Sequence, residues 1–243
     1  MKKLMLFITI LAFPIIIFAK EVEIKDIGLK VNVDDNFMIF TRDNLDNNAN
    51  LDKLGITKEY LEKSMNTNGI YLDMVDGDKK YEVLVVIPDI ALIVDDISSA
   101  TDDMLDSLKT EIVKKTGAKI SSIYKAKHNF IFVDYYDENT KYYIVNYYTV
   151  ENSKGYNFQL QKRTEITDSE KALLKKIVDS VSIEDLNKEN ESNKQETSNG
   201  TKANTNSKKS FDYKNIIIGV IIGAVVGLFS YLIGLLFKKK KSS

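Results

Sequence analysis

The sequence predicts an α+β fold, an antiparallel sheet covered by helices on both faces, with one C-terminal transmembrane helix behind it. Three observations predict it. Apolar runs of strand length follow one another at hairpin spacing through the middle of the chain, and short connections make neighbouring strands antiparallel. The central runs are apolar on both sides: Tyr142, Ile144 and Tyr148 alternate with Tyr143, Val145 and Tyr147, so both faces of the sheet ask for cover. Three amphipathic helical segments supply that cover. Near the end, Ile216 to Phe237 is an uncharged run of 22 residues, about 33 Å as a helix and so long enough for a bilayer core of roughly 30 Å.

Taken in order, Glu21 to Val33 alternates weakly and reads as an opening strand or hairpin, and Phe37 to Thr41 as a second strand. Asp43 to Asp52 is an Asn- and Asp-rich loop. Thr57 caps a helix reaching Met65. Ile70 to Val75 and Tyr81 to Ile87 form a hairpin through Asp76, Gly77 and Asp78, since Asp-Gly between apolar runs is a strong hairpin signal. Ser99 or Thr101 opens the longest soluble helix, with Leu105, Leu108 and Ile112 on one face and Gly117 as its stop. Strands follow at Ile120 to Tyr124, His128 to Tyr136 and Lys141 to Val150. Tyr156, Phe158 and Leu160 then alternate with Asn157, Gln159 and Gln161, the cleanest alternation in the chain and the expectation of a strand with one wet face. Thr167 and Glu170 form a capping box for a closing helix from Asp168 to Val181, whose buried stripe is Leu173, Leu174, Ile177 and Val181.

The ends predict topology. Lys2 and Lys3, the apolar stretch Leu4 to Phe18 and the small Ala19 have the order of a secretory signal, with cleavage expected after Ala19; the alternative is an uncleaved anchor, which leaves the middle of the chain outside the membrane just the same. Residues 1–19 are thus read as signal, 20–186 as an exported domain, 187–214 as a polar linker without large apolar residues over Asn187 to Ser210, 215–237 as the span and 238–243 as a basic tail. The positive-inside rule puts Lys238, Lys239, Lys240 and Lys241 in the cytoplasm and against anionic headgroups; Lys208, Lys209 and Lys214 near the other end weigh against it, and the N-terminal signal does more to set the orientation. Gly219, Gly223, Gly227, Ser230 and Gly234 fall on one face of the span, the small-residue pattern by which transmembrane helices pair, so self-association or pairing with another span is expected.

Composition excludes several functions. Lys20 to Asp185 holds 22 basic and 31 acidic residues, an acidic domain that lacks the basic surface nucleic acid demands. With no cysteine there is no disulfide, thiol nucleophile or thiolate metal site. The richness in Lys, Asn and Ile without Trp points to an AT-rich bacterial genome.

The order strand pair, helix, hairpin, long helix, strand meander, closing helix resembles the PsbP-like α/β/α sandwich. The resemblance rests on Leu29 to Val33 and Phe37 to Phe40, the hairpin around Asp76 to Asp78, the Tyr-rich meander and the segment Ile166 to Ile183. It implies a binding or scaffolding domain and brings no site residues with it.

Candidate chemistry is sparse. His128 is the single histidine and opens an apolar strand with no nucleophile signature around any serine, so it reads as structural. Asp46, Asn48, Asn50 and Asp52 stand at alternate positions like a calcium loop, but Leu51 occupies the glycine position and Thr57 that of the bidentate glutamate; a solvated loop is the better reading. Asp95, Asp96, Asp102, Asp103 and Asp106 crowd a helix start, where carboxylates favour the dipole. Eight tyrosines lie between Tyr124 and Tyr156, and these strands, with the face of Asn157, Gln159 and Gln161, are the first place to look for a partner surface. No catalytic residue, metal ligand or cofactor is expected. The reading is a bacterial single-span cell-envelope protein holding an extracytoplasmic binding or scaffolding module, with the lipid bilayer and a protein as partners. The alternatives are a hydrolase or ion-dependent enzyme, and a structural spacer.

Overall fold

The computed structural model describes residues 19–89 and 96–186. The predicted signal before Ala19, the linker, the span with its small-residue stripe and the lysine tail lie outside the described residues. Among the described residues, no helix is long and apolar enough to cross a membrane.

Among the described residues, two sheets and four α-helices build the domain. The larger sheet has seven antiparallel strands: β3 (Phe37–Thr41), β4 (Ile70–Asp76), β5 (Glu82–Val86), β6 (Ile120–Lys125), β7 (Asn129–Asp137), β8 (Tyr142–Glu151) and β9 (Lys154–Lys162). Their order across the sheet is β3-β4-β5-β9-β8-β7-β6. The last strand of the chain's meander thus becomes the central one. The smaller sheet, β1-β2-β10, joins β1 (Ala19–Ile24) and β2 (Leu29–Asp34) to the short β10 (Ser182–Ile183). Gly28 makes this join: its φ is +63°, and a Cβ there would press on the Glu184 carbonyl at 2.6 Å, while its own carbonyl accepts the Glu184 amide at 2.8 Å.

Helices lie on both faces of the large sheet, as expected, and on one face the small sheet joins them. One face of the large sheet is covered by the small sheet together with α4 (Asp168–Asp179); Val22, Ile24, Leu29, Val31 and Val33 pack with Leu174, Ile177 and Val178 over Val83, Val145 and Phe158. The opposite face is divided. There α1 (Ala49–Leu54) and α2 (Lys58–Thr67) cover β3, β4 and β5 through Leu54, Leu61 and Met65, while α3 (Asp102–Thr116) covers β7 and β8 through Leu105, Leu108 and Ile112. Burying each such leucine or isoleucine contributes on the order of 2 kcal/mol. The β1-β2 hairpin keeps a solvated side, with Glu21 and Glu23 exposed, so its weak alternation reports a half-wet sheet faithfully.

Helix starts follow their local signals. Thr57, Thr101 and Thr167 each accept a backbone amide as N-cap, and Glu170 closes the capping box on the Thr167 amide. Gly117 stops α3 in the left-handed conformation. Helix α1 begins inside the stretch expected to be a loop. Asn48 caps it, accepting from the Asn50 amide at 3.0 Å, and Gly55 terminates it at φ +67°. Leu173, expected in the buried stripe of α4, is half-buried, and Val178 takes its place in the core.

Candidate functional site

Two features stand out once the strands are aligned, one inside the sheet and one at its edge.

The inner feature is a polar stripe across the four central strands. Register places Asp73 opposite Leu84, Leu84 opposite Gln159 and Gln159 opposite Asn146; one row along, Glu82 faces Gln161, and beyond them Val86 faces Asn157. Side chains alternate along a strand, so Asp73, Glu82, Asn146, Asn157, Gln159 and Gln161 share the helix-covered face. All six are at most 1% exposed. The expected wet face of Asn157, Gln159 and Gln161 is therefore wrong, because β9 is the central strand and its polar side lies on the helix-covered face. Gln159 Nε2 donates to Gln161 Oε1 at 2.7 Å, and Gln161 Nε2 donates to Glu82 Oε1 at 2.5 Å. Both Asp73 carboxylate oxygens and Gln159 Oε1 are buried with no hydrogen-bond partner. Burial, reinforced by the Glu82 charge, pushes the Asp73 carboxyl well above its ordinary range. A buried carboxylate without donors costs several kcal/mol, so these oxygens need a proton or a cation.

The outer feature is the β6 edge. In the sheet order β6 pairs with β7 on one side and, among the described residues, with no strand on the other. The Ala126 amide donates to the His128 carbonyl, which sets the ladder's phase: the amides of Tyr124 and Ser122 point to β7, and those of Ser121, Ile123 and Lys125 point outward. Beside this edge, on the face that α4 covers only in part, lie the half-buried Tyr124, Phe132, Tyr136 and Tyr143. Phe132 meets Tyr147 with ring centroids 4.9 Å apart and Tyr136 meets Tyr143 at 4.8 Å. Tyr124 donates to the Asp179 carboxylate and lies beneath the Lys175 ammonium, 4.6 Å from the ring centroid. The other five tyrosines of the meander are buried, Tyr135, Tyr142, Tyr147, Tyr148 and Tyr156. Burial pushes the Tyr147 and Tyr156 phenols up to about 12. A cleft of about 450 Å³ opens between the end of α3 and the turn from β7 to β8, lined in part by Lys115, Tyr136 and Asn139.

The remaining sequence candidates are accounted for locally. His128 Nδ1 lies 2.7 Å from Glu151 Oε1, and its buried Nε2 meets no hydroxyl or other partner. The Asn-rich loop gathers no ligand cage. Asn44 and Asn48 each donate Nδ2 to the Ile39 carbonyl at 3.2 Å, Asn44 Oδ1 accepts the Thr41 amide at 2.8 Å, and Asp46 pairs with Lys58. Asp96 and the acids of the α3 start serve capping and first-turn electrostatics. Among the described residues no group of three or more His, Cys, Asp or Glu side chains is placed to hold a metal ion. The stripe escaped the sequence reading because its acids sit on two different strands, and only the pairing of β4, β5 and β9 brings them together.

Comparison with protein-family models gives no match, and comparison with curated proteins gives none. Among solved structures, the chain is similar to the solution structure of cyanobacterial PsbP (CyanoP) from Synechocystis sp. PCC 6803, at 11% identity, over 70% of this chain and 94% of that one, with a TM-score of 0.41. The likeness is to a PsbP-like domain and concerns fold alone; no residue role or ligand comes with it.

Proposed function

We propose that this chain is a membrane-anchored, extracytoplasmic module that binds or scaffolds another polypeptide and does not catalyse. The open β6 edge carries the reading. Three outward amides, those of Ser121, Ile123 and Lys125, offer a partner's extended segment a ladder to join, and the half-buried aromatic strip beside them gives that segment rings to pack on. The cleft between the end of α3 and the β7–β8 turn, on the strand next to this edge, adds a place for one anchoring side chain. Against catalysis by a Ser-His pair stands His128 itself, whose Nε2 meets no hydroxyl. Membrane attachment rests on the apolar run Ile216 to Phe237 and its lysine tail.

Because the chain has no cysteine, a single introduced thiol is unique. Lys125→Cys on the open edge and Asp43→Cys beside the opposite edge, each in the full-length chain in cells, are treated with a thiol-reactive crosslinker. A discrete adduct from position 125 and none from 43 is expected. Adducts that are absent from 125, or equal at both, defeat the reading. The same cells, shaved with protease, test the topology: loss of the domain with survival of a tagged tail is expected, and protection of the domain until lysis reverses it.

A further inference from the structure

We propose that the seam between α2 and α3 holds a hard divalent cation of the calcium class, taken by the carboxylates of Asp73 and Glu82 with the amide oxygen of Gln159. The argument begins with unanswered acceptors. Asp73 is fully buried with both oxygens unpartnered, and Gln159 Oε1, equally buried, is unpartnered as well. Gln159 cannot turn its amide to answer them without losing its donation to Gln161, which in turn holds Glu82. The network is thus pinned with its oxygens left over. Glu82 stands one register step along from Leu84, the residue that faces Asp73, so the two acids are diagonal neighbours on adjacent strands, about 7–8 Å apart at the backbone and within side-chain reach of one ion.

The ligand class follows from the donor set. The unpartnered atoms are all oxygen, with no imidazole or thiolate in the stripe, which selects hard cations over zinc or copper. Two carboxylates carry two negative charges, and a divalent ion neutralises both in a place where any residual charge is costly. Calcium accepts mixed carboxylate and amide oxygens in irregular geometry, whereas magnesium demands a near-octahedral shell and keeps its water. In the Asn-rich loop Asn44, Asn48 and Asp46 are taken up by caps, backbone contacts and an ion pair, whereas in the stripe both Asp73 oxygens and Gln159 Oε1 are left over.

The competing account is a proton shared between Asp73 and Glu82, and the test separates the two. The full-length chain in detergent micelles, washed with chelator, is titrated with CaCl₂, MgCl₂ or NaCl while its melting temperature is followed, and with Tb³⁺ while tyrosine-sensitised emission is followed. Tyr148 faces Asn157 in the stripe and serves as antenna. Saturating calcium is expected to raise the melting temperature by about 5 °C or more, with magnesium weaker and sodium without effect. Asp73→Asn should melt higher than wild type without metal and lose the calcium shift. Glu82→Gln should weaken calcium at least tenfold and serves if Asp73→Asn does not fold. No calcium shift in wild type, with Asp73→Asn still more stable, establishes the shared proton and overturns the proposal. A calcium shift or terbium signal that survives both substitutions overturns it also, by placing the ion elsewhere. Crosslinking through position 125 does not depend on Asp73, so the edge reading stands or falls separately.

Discussion

The two edges of the large sheet are guarded in different ways. At β3 the outward Ile39 carbonyl takes two asparagine amides and the outward Thr41 amide takes an asparagine oxygen, so the backbone groups a stray strand would seek are already occupied. At β6 no described side chain occupies the corresponding groups. Protection there is by charge: Lys125 is exposed on the strand, and Lys119 and Lys127 flank it. Lysines discourage indiscriminate pairing and leave the ladder free for a partner able to answer them. A sheet that needed only to avoid aggregation would gain by closing both edges. Closing one and charging the other is what the proposed binding of a partner at β6 requires.

The comparison breaks or sharpens under four substitutions. The largest effect is expected from Ser122→Pro, which removes an inward amide from the β6–β7 ladder and should cost about 3 kcal/mol, read from urea unfolding. Its neighbour Ser121→Pro removes an outward amide instead and should cost less than about 1 kcal/mol while abolishing the crosslink from position 125. Equal costs for the two would mean the ladder's phase is wrong. Next, Asn44→Ala with Asn48→Ala strips the β3 edge of its cover and removes the α1 cap, at about 2 kcal/mol, and should produce concentration-dependent self-association by light scattering. A monomer of unchanged stability would show that the loop does not guard the edge.

The smaller effects oppose each other in pH. Asp73, buried beside Glu82, has its folded pKa raised, so its contribution is fully present below the unfolded carboxylate range and is lost as pH rises through the folded value. In metal-free protein, Asp73→Asn should therefore remove a fall in stability between acid and neutral pH. Glu170 is the reverse case. Burial pushes its pKa up, but Lys162, at 2.6 Å and 2.8 Å from its two oxygens, and the Thr167 amide prevail and hold it below the ordinary range. Its contribution is present above the unfolded value and lost as pH falls through the folded one, so Glu170→Gln should cost about 1 kcal/mol near neutrality and flatten the acid limb. Urea midpoints measured across pH for both variants check the two signs together.

Signals that act within a few residues are legible in the amino-acid sequence. Thr57, Thr101 and Thr167 cap, Gly117 stops a helix, and Asp76 accepts the Lys80 amide in the turn from β4 to β5, because each depends on groups within about a turn of one another. The existence and order of the strands are legible for the same reason. What the polar half of β9 faces is not. Alternation shows that a strand has two unlike sides, and solvent is the cheap answer for Asn157, Gln159 and Gln161 only when that side is left uncovered. Tertiary structure made β9 central, set α2 and α3 on either side of it, and so buried the amides with two acids that lie 79 and 88 positions away from Gln161 in the chain. It also turned the Asn-rich loop from a metal-like motif into an edge guard, since Ile39 and Thr41 become its partners only once β3 lies at the rim. The amino-acid sequence by itself determined the elements, their caps and the acidic, cysteine-free character of the domain. Which strand is central, which edge is open and which carboxylates meet are consequences of long-range pairing, whose free energy is spread over contacts that no local window contains.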